Sequence, residues 1–349
     1  MSARYKPVGW NPTKIVYDVI LLAAIAIYVG AFRWLAPRFQ HVTQPLDDWS
    51  IRIDAFGTCT LLMLTLLLCI GPLARLDSRF LPLLYNRRHF GVLTCAVALT
   101  HAYVAFDWYF TASPMDPYIA LLGANTSFAR LHGFPFELFG VAALLLLLLL
   151  AATSHDFWLA FLTPPIWKAL HMMIYAAYPL VILHVSLGAL QDARNPLLAV
   201  VTVLSVICVA GLHVAAGRRE RVRERAVAPF DTASPWIVAG PVDTIGESRA
   251  IVVHLADAEP VAIFRHQGRL SAVSNVCAHQ NGPLGEGRIV DGCITCPWHG
   301  YQYRPEDGCA PPPFTERLAT YRLRIENGMV MLDPHANPPG TLVEPVSVT

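Results

Sequence analysis

Charge is scarce in this chain. Asp, Glu, Lys and Arg supply 15% of its 349 residues and hydrophobic residues 54%, a balance that does not suit one soluble body. The charge is also unevenly placed: residues 1–217 hold long apolar runs, and the remainder reads as an ordinary soluble β domain. A net charge of +1, with no basic patch carrying interleaved aromatics, gives no support to nucleic-acid binding. Cysteine is thin too. Eight of them, mostly scattered through apolar segments, argue against a secreted disulfide framework. No G-x-G-x-x-G follows a strand after residue 217, which excludes a dinucleotide-binding fingerprint there. The length suits two or three domains.

What is present is apolar length. Spans of about twenty residues, enough to cross a bilayer's hydrocarbon core, fall near 15–35, 53–74, 89–111, 135–154, 169–190 and 196–216. Residues 144–150 are all leucine, with no polar face. Arg4, Lys6 and Lys14 precede the first span as in a signal peptide, but no small-residue cleavage site comes after it, so it reads as a true helix. Lys and Arg set the orientation. Arg4, Lys6, Lys14, Arg75, Arg79, Arg87, Arg88, Lys168, Arg218, Arg219, Arg221, Arg223 and Arg225 share one side; only Arg33, Arg38, Arg52, Arg130 and Arg194 lie on the other. Both termini are therefore expected in the cytoplasm, in a multi-pass protein of the inner (cytoplasmic) membrane. The arginine run at 218–225 suits anionic lipid heads, or docking of an acidic electron donor.

Histidines inside these spans carry the chemistry, because an ionisable side chain in hydrocarbon is costly unless it binds or pairs. Span three holds His101, with His89 at its inner edge; span five holds His171 and His184. Each pair is separated by roughly 18–20 Å along a helix. Two His–His levels would then stack across the membrane, each suited to a bis-imidazole haem. The other reading makes these residues hydrogen-bonded polar contacts between helices. A twelve-residue step also turns about 120° on an ideal helix, which suits a headgroup position for His89. Pro179 can bend span five.

Beyond Trp236 the pattern turns to short β-like pieces at 251–255, 261–264, 270–273, 319–325 and 329–332, with Gln267-Gly268 and Asn327-Gly328 as hairpin turns. Among them stands Cys277-Ala-His279, then sixteen residues, then Cys296-Pro-Trp-His299. A zinc finger usually places both cysteines in one knuckle and both histidines in the other. Here each knuckle is mixed, as an asymmetric [2Fe–2S] centre demands: two thiolates on one iron, two neutral imidazoles on the other. Zinc or no metal remains the competing reading. Cys293 and Cys309 are spare thiols, read as small core residues rather than a disulfide.

With Gly282-Pro283-Leu284 after the first knuckle, Gly300-Tyr301 after the second and the proline run 310–314, residues 234–335 resemble the Rieske iron–sulfur family. The resemblance is to the ferredoxin type. Where respiratory-complex members carry an extra disulfide and a serine, this chain has Gly282, Trp298 and Tyr301. Fewer hydrogen bonds to the sulfurs imply a potential near roughly −150 mV rather than +300 mV. Arg87-Arg88-His89-Phe90-Gly91 leading to Ala98-Leu99-Thr100-His101, and Trp167-Lys168-Ala169-Leu170-His171 leading to His184, resemble the ferric-reductase-like transmembrane family over residues 53–212. That resemblance implies haem b, one or two, on His101, His171 and His184, with His89 the remaining candidate. Arg75, Arg87, Arg88 and Lys168 either face haem propionates or only set topology. A flavin and nicotinamide domain usually feeds the haems in that family, and here the Rieske domain stands in its place.

The expected protein is a multi-domain membrane protein: an all-α six-helix transmembrane bundle (1–217), a basic linker (218–233), a small all-β Rieske domain (234–335) and an irregular tail (336–349). Its expected function is transmembrane electron transfer. A separate cytosolic reductase or ferredoxin donates, the cluster and haem carry, and an acceptor at the outer face receives. The alternative is a membrane-anchored Rieske redox sensor or electron-carrier subunit without haem. An aromatic-ring dioxygenase would need a second iron site in a large domain beyond the cluster, and about fifty residues lie beyond His299. Rieske subunits of quinol-oxidising complexes normally have a single anchor and the disulfide.

Overall fold

A computed structural model describes residues 12–39, 47–84, 86–110, 114–131, 133–154, 158, 162, 164–192, 196–225, 236–255, 258–279, 282–297, 300–312 and 314–348. The chain divides into a helical unit built on Asn11–Gly71 and Arg87–His213, and a second unit that contains Val214–Thr349 and the β strands.

Helices α1 (Pro12–Phe39), α2 (Asp48–Leu76), α3 (Arg87–Phe110), α4 (Glu137–Ala152), α5 (Pro164–His171), α6 (Ile174–Leu187) and α7 (Pro196–Arg225) fall on the six apolar spans. Helix is the form these sequences must take in lipid, where each backbone N–H and C=O has to be satisfied within its own segment. Many of their large side chains face outward: Ile15, Val19, Ile27, Tyr103, Leu145, Val203 and Ile207 are all exposed. Water would not tolerate so much contiguous apolar surface, and hydrocarbon does. The chain is a membrane protein. Its central span is α2, with 61% of its apolar window buried, whereas α1 has 6% and runs along the edge.

Two helical expectations change. Span five is a single candidate crossing at Ala169–Gln191, close to its expected bounds, but not one unbroken helix bent at Pro179. It breaks at Met172–Met173 into α5 and α6, while Pro179 lies inside α6 without ending it. The break is spanned by three-residue bonds, from Met173 N–H to Leu170 O and from Tyr175 N–H to Met172 O, at 3.0 and 3.1 Å. The basic stretch also continues α7 as far as Arg225 instead of starting a linker there, since Arg and Glu are good helix formers. The rest of that segment, 226–233, lies outside the described residues.

The β unit holds β1 (Ile237–Pro241), β2 (Ala250–Val253), β3 (Val261–His266), β4 (Arg269–Ser274), β5 (Arg288–Val290), β6 (Cys293–Thr295), β7 (Gln302–Tyr303), β8 (Thr320–Tyr321), β9 (Leu323–Glu326), β10 (Met329–Leu332) and β11 (Val346–Ser347). They form three antiparallel sheets, ordered β1-β10-β9, β11-β4-β3-β2 with β8 also on β4, and β5-β6-β7. Both expected hairpins close tightly. Gln267 and Gly268 have φ of 51° and 69°, Asn327 and Gly328 50° and 75°, the paired left-handed residues of a type I′ turn. Strand β3 is the keel. Its period of two sends Ala262 and Phe264 into one core with Cys277, Cys296, Tyr301 and Tyr303. Val261 and Ile263 go into the other, with Ile245, Leu270 and Leu332. The tail is less irregular than expected: Val346 pairs with Leu270, and Gly340 N–H bonds Leu318 O at 3.0 Å. The added strand covers donors on β4 that would otherwise stand open at a sheet edge.

Candidate redox centres

The two cysteine loops of the β unit close in the same way. Cys277 N–H donates to Gly282 O at 2.9 Å and Cys296 N–H to Tyr301 O at 2.8 Å, five residues on in each case. Gly300, at φ 69°, supplies the left-handed residue that turns the second loop back towards β7. Cys277 and Cys296 are 0% and 1% exposed, and His279 is half-buried. Trp298 and His299 lie outside the described residues. Paired loops that present buried thiols with an imidazole beside them suit the donor set of a [2Fe–2S] centre. Cys293 and Cys309 are free thiols; burial pushes the Cys293 thiol up, which disfavours its thiolate.

Tyr303 adds a contact that Gly282, Trp298 and Tyr301 gave no hint of. Its hydroxyl accepts from His279 N–H at 3.1 Å and lies 3.3 Å from Cys277 Sγ. With Cys277 as a metal-bound thiolate, which carries no proton, the phenol would be the donor. Burial, with the neighbouring sulfur, pushes that phenol well above its ordinary value and keeps the O–H in place. The expectation of few hydrogen bonds to sulfur is thereby revised by one. Such a donor favours the reduced, more negative state. Tyr303→Phe is expected to lower the cluster's midpoint by roughly 40 mV, the one-electron equivalent of about 1 kcal/mol. A redox titration followed by EPR checks this, and an unmoved midpoint would show that the hydroxyl does not reach the sulfur.

In the helical unit, His101 on α3 and His184 on α6 face each other with ring centroids 6.3 Å apart and planes at 79°. Each Nδ1–H donates to a carbonyl of another segment at 3.0 Å: His101 to Ile53 O on α2, His184 to Phe136 O just ahead of α4. That fixes the tautomer and leaves the lone pair of each Nε2 available to a ligand. An imidazole–metal bond is about 2 Å, so two rings sharing one metal stand roughly 6 Å apart centre to centre. The pair meets that requirement. Gly57 and Gly140 make room for it. A Cβ at Gly57 would lie 2.9 Å from His101 Cε1, and one at Gly140 would lie 2.7 Å from His184 Nδ1.

His89 and His171 each make their contact through Nδ1 as well. His89 Nδ1 lies 2.7 Å from Asp18 Oδ2 on α1. His171 lies flat against Trp167, centroids 3.6 Å apart, and its Nδ1–H donates to Trp167 O at 3.0 Å. Asp18 did have a signal in the sequence, as a lone carboxylate within an apolar span; Gly57 and Gly140 had none. His213, a histidine with no expected role, bonds Val209 O and the Tyr175 hydroxyl.

Comparison with known proteins gives the same two parts. Residues 235–322 match the Rieske [2Fe-2S] domain, and residues 56–182 match the ferric reductase like transmembrane component. The anthranilate 1,2-dioxygenase ferredoxin subunit of Burkholderia cepacia is 33% identical over 102 residues, 28% of this chain and 92% of that one. The 3-phenylpropionate/cinnamic acid dioxygenase ferredoxin subunit of Shigella flexneri serotype 5b is 33% identical over 106 residues, 29% and 97% of the two chains. Chlorophyllide a oxygenase of Oryza sativa subsp. japonica is 36% identical over 91 residues, 24% of this chain and 17% of the oxygenase. Among solved structures, the Sphingomonas yanoikuyae B1 ferredoxin is 25% identical with a TM-score of 0.27, covering 28% of this chain and 98% of its own. The chain belongs to the Rieske [2Fe-2S] family in its β unit, which it joins to a ferric reductase like transmembrane component.

Proposed function

We propose that the chain carries electrons across the membrane from a separate cytosolic reductase or ferredoxin to an acceptor at the outer face. The cluster is held by Cys277, His279, Cys296 and His299, and haem b by His101 and His184. The observation that carries this reading is the facing histidine pair, with centroids 6.3 Å apart, inside apolar helices where idle imidazoles would be costly. Similarity to ferredoxin subunits supports an electron carrier in the β unit. Exposed Arg218, Arg219 and Arg221 at the end of α7 support a cytoplasmic position for that end of the helix and for the cluster-binding residues beyond it.

When bound, both groups exchange single electrons, and the chain's residues do the rest. Burial keeps water from the Cys277 and Cys296 thiolates, and Tyr303 steadies their charge. Half-buried His279 leaves an edge where a donor can approach. The Ile53 and Phe136 carbonyls hold the two imidazoles in their ligating tautomer. His171 and His89 are the candidate ligands of a second haem.

Metal and haem stoichiometry of the purified chain, with a reduced-minus-oxidised spectrum, tests the proposal. Two non-haem irons and at least one haem b per chain are expected. Two irons without porphyrin would leave a membrane-anchored Rieske carrier or sensor in its place. Gly140→Ala is expected to cut haem occupancy roughly tenfold, because the added methyl displaces the ring whose orientation the Phe136 carbonyl sets; the haemochrome assay reads this directly.

A further inference from the structure

Electron transfer through the cluster does not by itself require Tyr301 to stack on His279. The two rings are parallel to within 11°, with centroids 4.3 Å apart. Tyr301 is 3% exposed. Its ring meets Phe314 at 5.0 Å, and its hydroxyl donates to the Glu316 carboxylate. Glu316 is held in turn. Its Oε2 accepts from Thr315 N–H at 3.1 Å, and its carbonyl accepts from Ala310 N–H at 2.9 Å. The loop is closed at its base where Cys309 bridges Arg317. A residue that only filled the core would not need a phenol tied to a half-buried carboxylate, since taking such a charge partly out of water has a cost that only its bonds offset.

An imidazole bound through one nitrogen keeps a single rotation, about the metal–nitrogen bond. A flat ring packed on its face restricts that rotation, and a tether on the flat ring fixes where it packs. We infer that Tyr301 is a positioning residue for His279. It is stacked on the imidazole and tethered to Glu316, and so it passes the placement of the segment 314–317 to the half-buried edge of the cluster. Tyr303 holds the backbone of the same histidine, through the 3.1 Å bond from its N–H; Tyr301 holds the ring. The inference rests on His279 being a cluster ligand.

The test uses the full-length holoprotein and compares Tyr301→Leu, Tyr301→Phe and Glu316→Gln. Pulsed EPR of the reduced cluster reads the histidine-nitrogen couplings, and a chelator challenge reads the rate of iron release. Tyr301→Leu should change the couplings and speed release about tenfold. Tyr301→Phe, which keeps the stack and loses the tether, should change both in the same sense by less. Glu316→Gln, which still accepts from the phenol, should match wild type. Unaltered couplings and release in Tyr301→Leu would overturn the inference. Should that variant fail to assemble, Tyr301→Phe against Glu316→Gln decides, and identity of both with wild type overturns it. A wild-type chain with no two-iron signal would remove the cluster itself, and the inference with it.

Discussion

Replacing His101 or His184 with alanine is expected to abolish the haem between them, not to weaken it by degrees. The two imidazoles come from different helices, and each is turned by a carbonyl of a further segment; among the described residues no third such ligand is grouped with them. Altering a partner that merely orients a ligand costs about 10–100-fold in metal affinity, and removing the ligand should exceed that. Each alanine also opens a polar gap in the apolar bundle, which has no water to fill it. The [2Fe–2S] signal should survive both substitutions, because its ligands lie in the other unit, and so it serves as the control for folding. A haemochrome assay and a reduced-minus-oxidised spectrum read the outcome. A residual band common to both variants would belong to His171 and His89. Full wild-type haem in either variant would refute the ligand assignment.

Cys277→Ser and Cys296→Ser are expected to remove the cluster while leaving haem bound. Serine keeps the shape of cysteine but offers a neutral hydroxyl where the cluster iron takes a soft thiolate. At 0% and 1% exposure, neither site gives solvent a way to compensate. The loss should be complete in non-haem iron analysis and EPR, and haem reduction by an added ferredoxin and reductase should stop with it. Loss of the metal also removes a link between the 277–282 and 296–301 loops, so thermal unfolding of the β unit should come earlier. Cys293→Ser is the internal comparison. That thiol lies on β6, outside the ligand loops, and the substitution should leave iron content unchanged. Two irons retained in Cys277→Ser would exclude the mixed-knuckle arrangement.

Much of this was legible in residue order. Six apolar spans became helices because lipid allows a single chain segment few other ways to satisfy its backbone. The Gln267-Gly268 and Asn327-Gly328 turns formed because those pairs accept φ values near 50–75°. The cysteine loops were legible because their chemistry is local: Cys277 and His279 are two residues apart, as a knuckle requires. Less legible was anything that depended on a second segment. The break at Met172–Met173 was hidden behind the more conspicuous Pro179. The strand at Val346–Ser347 was hidden among prolines, because it pairs with β4, some seventy residues earlier. Tyr303 looked like any strand aromatic until the fold brought its hydroxyl to Cys277.

The sequence by itself therefore determined that the chain has a lipid-embedded helical part and a β part with a mixed Cys/His motif, since apolar length and ligand spacing act within one stretch of chain. The level shared by His101 and His184 was already legible from their spacing; the tertiary structure added how closely the two rings face and the two glycines that leave room for them, because both depend on how α3 and α6 are rotated. It also decided that His89 pairs with Asp18 and that Tyr301 lies on His279. Contacts of this kind join residues far apart in the chain, and no local propensity records them.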